Sequence, residues 1–140
     1  MRSVTVLAVL PTSPAQVWAL IDDIEGYSRY MPHLEQVRVV SDGPGTGRIA
    51  DWVLAVGGRR LGWTDRSDGI PDRFVREFDC LDGDLGFVAG RWELKAIDGG
   101  TNIRLGLEFD VEGEVAANDV RAAQDVFVED FVTMLSKCAG

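Results

Sequence analysis

"RIADWVLAVGGRRLGWTDRS", residues 48–67, reads as two strands folded onto one another. Two alternating runs flank Gly57-Gly58, and a two-residue hairpin turn with positive φ at both positions favours glycine at both. Folding the chain there sets Leu54 opposite Leu61, Trp52 opposite Trp63 and Ala50 opposite Asp65. The other face carries Asp51 with Thr64 and Ala55 with Arg60, which suits water. One face is therefore apolar until its end, where a carboxylate points the same way as two tryptophans.

The same test works further along the chain. With Asp98-Gly99 as a turn, Leu94 faces Ile103, Trp92 faces Leu105 and Val88 faces Phe109, while Arg104, Glu108 and Asp110 point out. Between these hairpins lies "DRFVREFDCL", residues 72–81, in which Phe74, Arg76, Phe78 and Cys80 share one side and Glu77 and Asp79 the other. A four-residue loop at "DGIP" (68–71) pairs Leu61 with Phe78, Trp63 with Arg76 and Asp65 with Phe74. Arg76 then stands beside Trp63 and near Asp65. A one-residue slip instead turns Asp65 outward and brings Arg66 into its place.

Residues 2–10 alternate as a first strand. In "TSPAQVWALIDDIEGY", Ser13 is an N-cap with Pro14 at the first helical position. Val17, Leu20, Ile21 and Ile24 form its buried stripe, Gly26 ends it, and "YSRYMPH" reads as a second helical turn stopped near Pro32. "EQVRVVS" is a strand, and "DGPGTG" the loop after it. From about Glu114 to Lys137 runs a long helix. Ala116, Val120, Ala123, Phe127 and Met134 lie on one side, widened by Val126, Phe131 and Leu135, and Arg121, Asp125 and Glu129 mark the wet side. The short connections favour antiparallel hairpins in chain order. The pattern predicts an α+β domain over residues 1–140: a seven-stranded antiparallel sheet covered by one long helix.

Composition narrows the function. The 140 residues carry a formal net charge of −9, which disfavours nucleic acid and anionic membranes as partners. No apolar run approaches a membrane span, and a strand begins almost at Met1, which argues against a signal peptide and for the cytoplasm. Cys80 and Cys138 suggest no disulfide framework. One histidine and two distant cysteines give no zinc spacing, so no metal is expected. "GPGTG" joins two strands rather than opening a helix, so it is no phosphate cradle. Buried unpaired charge costs several kcal/mol, roughly. An inward Asp65 and Arg76 therefore point to a partly hydrated, aromatic-lined cavity rather than a solid core.

The order strand, two short helices, six-stranded meander and long helix resembles the helix-grip fold of START-like and polyketide cyclase proteins. The wording is similar in "SPAQVWALIDDIEGYSRYMPHLEQVRVV", in "GRRLGWTDR", in "LDGDLGFVAGRWEL" and in "GGTNIRLGLEFDV". The resemblance spans nearly the whole chain and extends to coenzyme Q-binding relatives. It implies a curved sheet around the long helix and a pocket between them. It also implies one of two activities. The first is cofactor-free aldol cyclisation and dehydration of a poly-β-ketone, with an acyl carrier protein as a partner docking near Arg59, Arg60 and Arg29. The second is non-catalytic binding of a quinone, lipid or polyketide, by a monomer or a homodimer.

Candidate catalytic residues are Asp65 as general base, Arg76 as the cation holding an enolate oxygen, and Tyr30 as a donor to a ketone. Their plainer alternatives are a solvated ion pair and a ring capping the pocket. Trp63 and Trp52 are candidates for stacking a planar substrate, against a cross-strand pair that merely stabilises the sheet. Tyr27, Ser67, Phe78, Trp92 and Phe127 complete the expected lining. His33, the single histidine, is placed at the entrance, where an inert exposed ring is the simpler reading.

Overall fold

Ser13 and Pro14 start the first helix as their chemistry dictates. The Ser13 hydroxyl accepts from the Gln16 amide, and the Gln16 side chain accepts from the Ser13 amide, a reciprocal cap. In this computed structural model, which describes residues 1–43, 45, 47–111 and 117–139, that helix (α1, Pro14–Asp22) follows strand β1 (Arg2–Leu10). It ends at Asp22 rather than Gly26. Asp23 leaves helical geometry at φ −85°, ψ 70°, and the chain tightens into a 3₁₀ turn over Ile24–Arg29, ahead of Pro32.

Six strands follow: β2 (Leu34–Gly43), β3 (Gly47–Val56), β4 (Arg59–Ile70), β5 (Val75–Gly83), β6 (Phe87–Ile97) and β7 (Gly100–Asp110). They form one antiparallel sheet in the order β1-β7-β6-β5-β4-β3-β2. Each hairpin joins chain neighbours, and β1 closes the far edge against β7. Because β1 and β2 lie at opposite edges, α1 and the 3₁₀ turn must cross the open side of the sheet. The long helix α2 (Ala117–Ala139) packs across the same face, in contact with β1 and β3. Glu114 and Ala116, expected within this helix, lie outside the described residues.

The core follows the alternation. Trp52, Leu54, Leu61 and Trp63 from β3 and β4, Val88, Trp92 and Leu94 from β6, and Ile103, Leu105, Leu107 and Phe109 from β7 are buried. They meet Ala123, Phe127, Phe131, Met134 and Leu135 of α2. Each such large side chain stabilises by about 1.5–3 kcal/mol on burial. Two buried polar side chains fix how the helix is rotated. Gln124 donates to the carbonyls of Leu85 and Asp110, at 2.9 and 3.0 Å. Asp130 accepts from the backbone and ring nitrogens of His33, both at 2.8 Å. Breaking either would leave a buried group unpaired.

Two hairpins have the predicted registers. Trp52 pairs with Trp63 and Ala50 with Asp65, around Gly57 (φ 58°) and Gly58 (φ 80°). Trp92 pairs with Leu105. The middle hairpin does not. Arg76 pairs with Gly69, Phe78 with Ser67, and Asp65 with Cys80. The partner of Arg76 is thus six positions along β4 from the expected Trp63. The strand runs on through "SDGI" because the turn is made later. Pro71–Arg73 forms a single 3₁₀ turn, closed by Phe74 in the left-handed region (φ 53°), which takes Phe74 out of the strand. Since the shift is even, every side chain keeps its face. A bulge between Thr64 and Asp65 on this pairing brings Cys80, Phe78 and Arg76 onto the side of Trp63.

Candidate functional site

The inward faces of β3 to β6 and of α2 do not close completely. They leave a cavity lined by Ile24, Tyr27, Trp52, Trp63, Phe127 and Phe131, with Asp65, Ser67, Arg76, Phe78, Cys80, Val88 and Trp92 along the sheet. The water-accessible space inside is about 20 Å³, room for one or two waters. Anything larger enters only as the rings give way.

The apolar wall is braced ring on ring. Trp52 and Trp63 stack with centroids 5.8 Å apart and planes 12° from parallel. Phe127 sets its edge against both, at 6.0 and 5.2 Å. Phe131 joins Phe127 at 4.6 Å and Trp92 at 5.6 Å. Such geometries add about 0.5–1.5 kcal/mol per pair beyond burial. Tyr27 contributes its ring, edge-on to Trp52 and Phe131. Its hydroxyl donates to the Ile21 carbonyl, and burial raises its pKa far above the usual phenol value, so it stays protonated and occupied.

The polar wall differs. Asp65 is only 4% exposed, and its Oδ1 has no hydrogen-bond partner. Burial pushes its pKa up to about 7; the Trp52 indole N–H pulls the other way, Asp79 adds to the rise, and Arg76 and Arg48 oppose it. Trp52 Nε1 nonetheless makes no hydrogen bond of normal geometry and is itself unpartnered. Arg76 is 7% exposed. Its Nη1 donates to Ser67 Oγ at 3.1 Å, its Nη2 meets the Asp22 carboxylate, and its guanidinium lies 5.5 Å from the centre of the Trp18 ring. Its Nε is buried and unpartnered. Arg48 holds Asp22 from outside, donating to its carbonyl at 2.6 Å and standing 3.5 Å from its carboxylate. Burial also lifts the Cys80 thiol to about 11, so it stays protonated.

Of the residues named from sequence, Asp65, Arg76, Trp63, Trp52, Tyr27, Ser67, Phe78, Trp92 and Phe127 come together here. Asp65 and Arg76 share the cavity, but Arg76 bonds to Asp22 and Ser67 rather than to Asp65. Tyr30 and His33 are not in the lining. Tyr30 is half-buried and offers its carbonyl to Lys137 at 3.2 Å, and His33 is turned to Asp130. Arg66 faces outward toward Asp79, 3.8 Å away. Arg59 and Arg60, expected to dock a carrier, are paired with Asp119 and Glu35 at 3.2 and 3.0 Å. Sequence reasoning missed Asp22 as the partner of Arg76. Nothing local to "IDD" signals that role, because the contact spans 54 residues. Among the described residues no group of side chains is suited to a metal ion, and no helix is long and apolar enough to cross a membrane.

Residues 10–135 match the protein family described as polyketide cyclase / dehydrase and lipid transport. Over 116 residues the chain is 29% identical to the actinorhodin polyketide synthase bifunctional cyclase/dehydratase of Streptomyces coelicolor. That alignment covers 81% of this chain and 36% of the relative, so the chain spans about a third of that protein's length. The fold matches the Zhui aromatase/cyclase of a Streptomyces species with a TM-score of 0.83 at 22% identity, covering 98% of this chain and 93% of that one. It also matches a START superfamily protein from Mycobacterium smegmatis, with a TM-score of 0.79 at 13% identity, covering 98% and 96%.

Proposed function

The chain belongs to the polyketide cyclase/dehydrase and lipid transport family, and from that membership and the cavity's chemistry we propose that it closes a ring in a poly-β-ketone by aldol condensation and dehydration. One observation carries the reading. Three buried polar atoms without partners, Trp52 Nε1, Asp65 Oδ1 and Arg76 Nε, belong to the lining of one aromatic cavity. Unpaired buried polar groups are rare in folded proteins, and a ligand rich in carbonyl oxygens would satisfy the two donors.

The chemistry follows from these groups. A methylene between two carbonyls is acidic enough for a carboxylate whose pKa has been raised to about 7. Asp65 takes that proton, and the electron pair moves onto the enolate oxygen, which the Arg76 and Trp52 N–H groups stabilise. The enolate carbon attacks a second ketone of the same chain, forming the C–C bond, and the new alkoxide recovers the proton from Asp65. A second α-proton then passes to Asp65 as the hydroxyl departs; Asp65 returns the proton to it, releasing water. Contact with the aromatic lining favours the planar product.

Asp65→Asn tests the assignment. With a carrier-bound or thioester poly-β-ketone, the variant should bind ligand as the parent does and lose cyclised product by about 10²–10⁴-fold. Cyclisation at the parental rate overturns the role of Asp65. Passive binding of a hydrophobic molecule is the second reading, favoured by the fact that Arg76 is already held at both terminal nitrogens. Under that reading Arg76→Leu weakens binding, and neither protein yields cyclised product.

A further inference from the structure

Three large side chains on the cavity's sheet wall lie across from a glycine: Trp63 from Gly83, Arg76 from Gly69, and Phe78 from Gly90. Gly90 has no positive φ to explain it, so backbone conformation does not demand glycine. Space does. A Cβ built at position 90 would lie 2.1 Å from Phe78 Cζ and 2.5 and 2.7 Å from its two Cε atoms. The ring thus occupies the volume a side chain would fill. Phe78 is also the cavity ring with no aromatic neighbour among the described residues, while Trp52, Trp63, Phe127 and Phe131 brace one another. Gly90 sits between Val88 and Trp92, both buried on the inner face. A Cβ there projects inward, and the ring it displaces moves off the sheet into the cavity.

We propose that Gly90 is a specificity-determining residue: by seating the far end of the Phe78 ring against the sheet it sets the depth of the cavity, and so the number of fused rings a planar ligand can carry. The proposal rests on the reading of this cavity as a ligand site, but not on catalysis. Any side chain at 90 shortens the site by about one ring's thickness. The displaced atoms are the far end of a side chain rather than backbone, so the change is absorbed by Phe78 and not by the sheet.

Two probes read the depth through quenching of tryptophan fluorescence: naphthol with two fused rings, and dihydroxyanthraquinone with three. The parent protein binds both. Gly90→Ala should weaken dihydroxyanthraquinone about tenfold more than naphthol, an overpacking cost. Adding Phe78→Ala to Gly90→Ala should restore the three-ring probe to within about twofold of the parent. Phe78→Ala alone, which keeps Gly90, should shift the affinity ratio toward the larger probe. Equal weakening of both probes, no weakening, or failure of the double variant to restore the ratio overturns the proposal. Discrimination retained by a protein that makes no cyclised product supports it and counts against the catalytic reading alone. A parent that binds neither probe overturns both.

Discussion

The two walls of the cavity are built on opposite principles. Trp52, Trp63, Phe127 and Phe131 form a closed set of ring contacts with almost no exposed surface. Beside them, Asp65, Ser67 and Arg76 are as deeply buried, with Asp65 Oδ1 and Arg76 Nε left unpartnered, and the outer support of Arg76 is Asp22, whose side chain is 40% exposed. One wall gains free energy from burial; the other spends part of it holding charges out of water. The comparison assigns stability to the aromatic wall and chemistry to the polar one, and substitutions on each side should separate the two.

The largest effect belongs to the aromatic wall. Phe127→Ala removes the ring that edges onto both tryptophans and should cost about 3–5 kcal/mol. Urea unfolding reads this as a lower midpoint with an unchanged slope. A loss under about 1 kcal/mol would mean that the tryptophans do not depend on it.

Asp65→Asn should act in the other direction. The folded state raises this carboxyl from 3.8 to about 7, so it holds the proton more tightly than the unfolded chain does. Its stability contribution is fully present below 3.8, falls as pH rises, and is lost above about 7. The variant, which cannot ionise, should therefore melt about 3–6 °C higher than the parent at pH 8. The difference should shrink toward acid, as calorimetry across pH would record. A parent more stable than the variant at pH 8 would mean that the carboxylate is well paired after all.

Asp22→Ala leaves the Arg76 Nη2 without its carboxylate. With Asp22 partly exposed, the cost should be about 1 kcal/mol, and a crystal structure should show the guanidinium turned away from Trp18. An unmoved Arg76 would remove Asp22 from the account. Ser67→Ala, which deletes one acceptor of Arg76, should cost a similar amount, about 0.5–1.5 kcal/mol by chemical denaturation.

The outer hairpins were legible in the sequence because two-residue turns leave the register no freedom. Gly57-Gly58 and Asp98-Gly99 each fix a pairing that the alternating hydrophobic pattern confirms. The middle hairpin was not, since "DGIP" divides its residues between strand and turn: Gly69 and Ile70 continue β4 while Pro71 opens the 3₁₀ turn. Parity survived the six-residue displacement, so Asp65, Arg76 and Phe78 were assigned to the right face with the wrong neighbours. The contacts that complete the site join elements remote in the chain, Asp22 with Arg76 and His33 with Asp130. Periodicity carries no information about such pairs. Tyr30 and His33 were expected at the entrance between the short helices and the sheet, but the 3₁₀ turn ends before them and neither lines the cavity.

The proposed chemistry requires a buried aspartate in an aromatic cavity to be poised near neutrality. Carbon-13 NMR of the Asp65 side-chain carboxyl, followed through a pH titration of the ligand-free protein, tests this without knowledge of the substrate. A midpoint at about pH 7 is the predicted result. A midpoint near the ordinary aspartate value, about 3.9, would show a solvated or fully paired carboxylate and would contradict the claim.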